Sequence, residues 1–131
     1  MMFAAMLLVV AQASGPPSVD IRGEWINQRR TAIIRIADCP SGLCGTVIWS
    51  AATARSDATR GGIAELNGTT VMSGFAPSSG QRWRGKLFLP DHNRTVRGEI
   101  ELRANDELRV KGCEMAGLVC RSQVWNRRPR A

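Results

Sequence analysis

A chain of 131 residues is the length of one domain, which excludes separate catalytic and regulatory modules. Apolar residues at 44% and charged residues at 22% exclude a disordered or low-complexity chain. Eighteen basic residues against 11 acidic ones leave a net charge of +7, which biases the chain toward anionic partners. Only Lys86 and Lys111 are lysines; the arginines are dispersed, and their densest cluster is the tail Arg127, Arg128, Arg130. No helix-turn-helix, RNP-type or zinc-finger pattern accompanies the charge, so nucleic acid is not an expected partner.

The chain opens with an uncharged apolar run from Met2 to Ala11, followed by Ala11-Gln12-Ala13 in the small-x-small form of a signal-peptidase site. The expectation is a secretory signal over residues 1–13 and a mature domain over 14–131, in the periplasm or secreted. The run is shorter than the ~20 apolar residues a transmembrane helix needs, so no membrane span is expected. The four cysteines form two close pairs in sequence, Cys39 with Cys44 and Cys113 with Cys120. Neither spacing is C-x-x-C and the chain has one histidine, which argues against a zinc site or a thioredoxin-like motif. Disulfides in an oxidising compartment fit better. Of the three possible connectivities, the two local pairings are favoured because each closes a turn between neighbouring strands.

Beyond Pro16-Pro17 short segments of period two alternate with Gly, Asn, Asp and Pro, and no stretch of ten residues keeps a helical period. Strands are predicted at Ile21 to Asn27, Thr31 to Ala37, Gly45 to Ser50, Thr69 to Phe75, Arg82 to Leu89, Thr95 to Arg103, Glu107 to Gly112 and Val119 to Asn126. Ala51 to Leu66 reads as a long surface loop with room for one helical turn at Ala51 to Ala54. The hairpin around Pro90-Asp91-His92-Asn93 has turn chemistry, and its alternation sets Arg84 and Lys86 to face Glu99 and Glu101 across the pair. Eight strands with one dry face each form a sandwich or a barrel, and short sequential hairpins favour closure into an antiparallel up-and-down barrel.

Trp25, Trp49, Trp83 and Trp125 fall in four different predicted strands, and three share parity with aliphatic or glycine positions. They are expected to converge on one interior, filling a core or walling a pocket. A barrel of eight strands is just wide enough to be filled by side chains or to hold one small ligand. If Trp125 points inward, period two carries Gln123 and Arg121 inward beside it, a polar handle suited to an anionic or amphipathic molecule.

No arrangement for catalysis is legible. His92 sits in a polar turn without a nucleophile motif nearby, and Glu99 and Glu101 lie on the wet hairpin face opposite basic residues. Asp57 has no visible metal partners, and the glycines form no phosphate-cradling loop. No enzyme activity, cofactor or metal is expected.

Three segments resemble a known family. Gly23-Glu24-Trp25, the run Cys39-Pro40-Ser41-Gly42-Leu43-Cys44-Gly45-Thr46-Val47-Ile48-Trp49, and Gly112-Cys113 followed by Cys120-Arg121-Ser122-Gln123-Val124-Trp125-Asn126-Arg127 are similar to the bacterial domain of unknown function 2147. Leu66-Asn67-Gly68 to Gly74-Phe75 and Trp83 to Leu87 fit its strand order. The resemblance implies an exported lipocalin-like β-barrel. The Gly-x-Trp start and the basic residue after the last strand are also similar to lipocalins, which implies Arg127 or Arg121 packed over Trp25 at the closed end. The Ala51 to Leu66 loop lacks the family's Asn-Pro element, and the turn after Asp91 lacks its Gly and Tyr, so no ligand is implied.

The expected function is that of an exported lipocalin-like protein holding a small hydrophobic or amphipathic molecule. Trp25, Trp49, Trp83 and Trp125 form the wall in this reading, with Arg121 and Gln123 as polar anchors. The alternatives are a filled barrel that meets an envelope protein through its surface, or a basic surface that adheres to anionic lipid or envelope polymer.

Overall fold

Alternating apolar and polar residues give eight strands in the computed structural model, which describes residues 20–104 and 106–129. The strands are β1 (Gly23–Ile26), β2 (Ala32–Cys39), β3 (Gly42–Ser50), β4 (Thr70–Pro77), β5 (Arg82–Leu89), β6 (Arg94–Leu102), β7 (Glu107–Glu114) and β8 (Val119–Arg127). Each pairs antiparallel with its sequence neighbour and β1 pairs with β8, closing an up-and-down barrel. The predicted signal segment lies outside the described residues. No described helix is long and apolar enough to cross a membrane.

One end of the barrel carries the β2–β3, β4–β5 and β6–β7 turns, and we call it the lower end. The upper end carries the β1–β2 turn, the β3–β4 connection, and the β5–β6 and β7–β8 turns. The β3–β4 connection departs from expectation, because it folds as helix α1 (Ala52–Arg60) rather than a loop with a single helical turn. Its Thr, Ser and Asp are weak helix formers, so tertiary contacts hold it. Ala58 is buried and Arg55 donates to the Ser50 carbonyl at the end of β3, while within the helix Arg60 pairs with Asp57. Gly61, just past the helix, packs so closely on the β5–β6 turn that a Cβ there would lie 2.3 Å from the Pro90 carbonyl oxygen.

Both disulfides are the local ones, Cys39–Cys44 beside the β2–β3 turn and Cys113–Cys120 at the base of the β7–β8 turn. Closure of the barrel is uneven. β7 and β8 share eight rungs, whereas β1 meets β8 only at Trp25–Arg127 and Ile26–Asn126. Beyond Ile26 the chain turns away, and the Gln28 side chain substitutes for a strand by accepting the Val124 N–H at 2.9 Å.

Candidate functional site

The interior is packed at its midpoint by large side chains set against glycines. On adjacent strands Gly85 pairs with Gly98 and Gly98 with Gly112, placing three inward positions without Cβ side by side. Phe75 and Leu87 occupy that space, and Met72 packs on Gly45 of β3. A Cβ on Gly85 would lie 2.6 Å from the Phe75 ring, one on Gly98 2.6 Å from Leu87, and one on Gly45 2.8 Å from the Met72 sulfur. Real side chains do not approach this closely, so the glycines are what let the barrel fill.

Three tryptophans are where parity placed them. Trp25, Trp83 and Trp125 are buried in one cluster with Ile34, Ile36, Ile100 and Leu108. Trp25 donates its indole N–H to the Ile21 carbonyl, and Arg127 lies over its ring at 4.3 Å from the centroid. Of the two arginines implied as that partner, Arg127 takes the role because it stands on the same rung.

The fourth expected wall residue, Trp49, and the expected polar anchors, Arg121 and Gln123, lie elsewhere than in a closed interior. Trp49 is 46% exposed on the outer face. Ile33 pairs with Trp49 but Ile34 pairs with Val47, so Ile48 is the extra residue of a bulge, and the bulge turns Trp49 to the opposite face. Arg121 and Gln123 keep the inward parity of Trp125 but are exposed, because β1 ends before it can cover that part of β8. Gln123 accepts the Trp125 indole N–H at 2.9 Å, and Arg121 forms no ion pair with a described residue. His92 is an exposed turn residue, 3.5 Å from the Asp91 carboxylate.

A groove of about 660 Å³ lies on the outer wall across β4–β7. Two outward rows line it. One runs Ser73, Lys86, Arg97, Cys113 on paired rungs, and the other runs Arg84, Glu99, Lys111. Lys86 therefore faces Arg97, not a glutamate as expected. Two cations directly opposite on a sheet are destabilising by roughly 0.2–1 kcal/mol.

Three other cations on this wall are neutralised, whereas Arg109, opposite Glu101, forms no ion pair with a described residue. Arg82 pairs with Glu101, Arg84 with Glu99, and Arg94 with both oxygens of Glu114. Lys86, Arg97 and Lys111 form no ion pair with any described residue, and both lysines of the chain are among them. A local rule broken without a compensating contact marks a candidate site. Sequence reading missed Arg97, since its only signal is the register that sets it against Lys86. Among the described residues no cluster of His, Cys, Asp and Glu is arranged to hold a metal.

These features define a lipocalin-like eight-stranded barrel, packed across its midpoint and carrying unpaired cations on one outer wall. A family model described as "Uncharacterized protein conserved in bacteria (DUF2147)" matches residues 23–127, and the chain belongs to that family. Its fold is similar to that of a solved Helicobacter pylori structure titled "Protein HP1028 from the human pathogen Helicobacter pylori belongs to the lipocalin family". The TM-score is 0.66 over 86% of this chain and 85% of that one, at 11% identity. No curated protein matches the sequence.

Proposed function

We propose that the protein is an exported, non-catalytic binding protein of the bacterial envelope. Its barrel is a filled scaffold, and its outer β4–β7 wall recognises an anionic ligand. The observation that carries this reading is the rung Lys86–Arg97, two cations facing each other without a carboxylate partner in a groove that Lys111 also lines. Export is supported by the two disulfides, which persist in oxidising compartments, and by the predicted signal segment. A small hydrophobic or amphipathic molecule held between the tryptophans has less support. Trp49 points away, and Phe75, Leu87 and Met72 occupy the space between the inward glycines.

The test is calorimetric titration with inorganic polyphosphate alongside fluorescence titration with a neutral apolar probe, N-phenyl-1-naphthylamine. Saturable polyphosphate binding that weakens with salt and is lost in a Lys86→Gln/Arg97→Gln/Lys111→Gln variant is expected, with no saturable uptake of the probe. Probe binding that quenches tryptophan emission, without polyphosphate binding, would return the ligand to the barrel interior. For export, the mass of periplasmic protein should correspond to a chain starting at Ser14 and lighter by four hydrogens, one pair per disulfide.

A further inference from the structure

The geometry points to the β7–β8 tip as a membrane-docking element that enters the interface of an anionic phospholipid bilayer. This rests on the reading of the outer wall as an anion-binding surface and names the anion as lipid phosphate. Among the described residues four large hydrophobic side chains are exposed, and three of them, Met115 at 70%, Leu118 at 83% and Val119 at 44%, crowd this one turn. Single exposed apolar residues need no explanation, but a cluster at a protruding tip does.

The exposure is built in. Met115, Ala116 and Gly117 all have positive φ, of 53°, 57° and 88°, a conformation that non-glycine residues adopt only when their surroundings impose it. Cys113–Cys120 ties the strands together at the base of the turn and so holds the tip out from the barrel.

Cations stand at the right depth behind it. Arg97 is on the rung of Cys113 and Arg121 on the rung of Gly112, two and three residues below Met115, or about 7–10 Å along the strand. An apolar tip buried about 5–10 Å into the headgroup region places such cations at the phosphates. A smaller groove, about 370 Å³, is lined by Arg97, the Arg94–Glu114 pair and Met115 and shares Arg97 and Cys113 with the larger one, so the apolar tip adjoins the wall that carries Arg97. Anionic lipid is the partner that satisfies both halves, since a soluble polyanion leaves Leu118 in water.

Co-sedimentation should be measured with vesicles of phosphatidylglycerol and phosphatidylethanolamine, and with phosphatidylcholine vesicles. The wild-type protein, Met115→Ser/Leu118→Ser and Lys86→Gln/Arg97→Gln should be compared, with circular dichroism showing that both variants stay folded. The wild type should bind only the anionic vesicles, and salt should release it. Neutralising each cation should weaken binding about fivefold. The tip variant should lose tenfold or more on vesicles while binding polyphosphate as the wild type does. Equal binding of tip variant and wild type to anionic vesicles overturns insertion. Polyphosphate binding without vesicle binding overturns this inference and leaves the anion-binding wall standing. Binding to neither removes both.

Discussion

Arg127 lies over the Trp25 indole, 4.3 Å from the ring centroid, and donates from its two terminal nitrogens to the Arg22 carbonyl at 3.0 Å and the Asp20 carbonyl at 2.7 Å. One side chain thus joins the last strand, the first strand and the segment that enters the barrel, where β1 and β8 share only two rungs. Arg127→Met removes the cation–π contact and two charge-assisted hydrogen bonds, and should cost about 2 kcal/mol in urea unfolding. Arg127→Lys keeps the charge without the planar fork and should recover less than half of it. A Met variant as stable as wild type would show that the stack does not hold the closure.

The inward glycines make a second prediction. Gly98→Ala forces a methyl against Leu87 and Phe75 and should destabilise by about 1–3 kcal/mol, although alanine is ordinarily no worse than glycine in a strand. Shortening the neighbour, as Gly98→Ala with Leu87→Ala, should restore part of the loss, and the double-mutant cycle reports the coupling. Additive losses would mean that the interior has room to spare.

Lys86 and Arg97 face each other without a carboxylate. Arg97→Gln should therefore raise stability by a few tenths of a kcal/mol while weakening polyphosphate binding. If the variant is less stable than wild type, Arg97 is a structural residue and the groove loses its central argument.

The disulfides close short loops at opposite ends of the barrel, with sequence separations of 5 and 7. Replacing either pair by serines should cost about 2 kcal/mol on the chain-entropy estimate, and the two losses should add. Thermal unfolding with thiol titration checks this; a chain that still folds with both pairs removed is the expected result.

At the lower end Arg22 donates from Nε and a terminal nitrogen to both oxygens of Asp38, at 3.0 and 2.6 Å. The side-chain hydrogen bonds from Arg22 hold the Asp38 carboxyl below the usual carboxylate range. Asp20 is lowered chiefly by the Arg22 backbone N–H. Depressed carboxylates stabilise the fold above the unfolded value of about 3.9, and that contribution disappears as pH falls through the lower folded values. Arg22→Gln should thus lower urea stability between pH 5 and 8, with the gap closing toward pH 2. A gap independent of pH would assign the loss to packing.

Strand positions, both disulfides and three of the four tryptophans were legible because period two and turn residues are local signals that the tertiary structure did not override. Trp49 was not, since a bulge at Ile48 moves it to the other face and nothing in Val47-Ile48-Trp49 marks which residue is extra. The helix Ala52–Arg60 was illegible for a related reason. Its own residues favour helix weakly, and burial of Ala58 together with the Arg55 contact to Ser50 decides it.

By itself the sequence determined an antiparallel barrel of eight strands, since alternation, turn chemistry and spacing act over a few residues. Only the tertiary structure decided that the barrel is packed across its midpoint, because Phe75, Leu87 and Met72 meet Gly45, Gly85 and Gly98 from other strands. It alone also decided where the charge collects. Pairing register sets Lys86 against Arg97 while Arg82, Arg84 and Arg94 find glutamates, and register depends on the closed sheet as a whole.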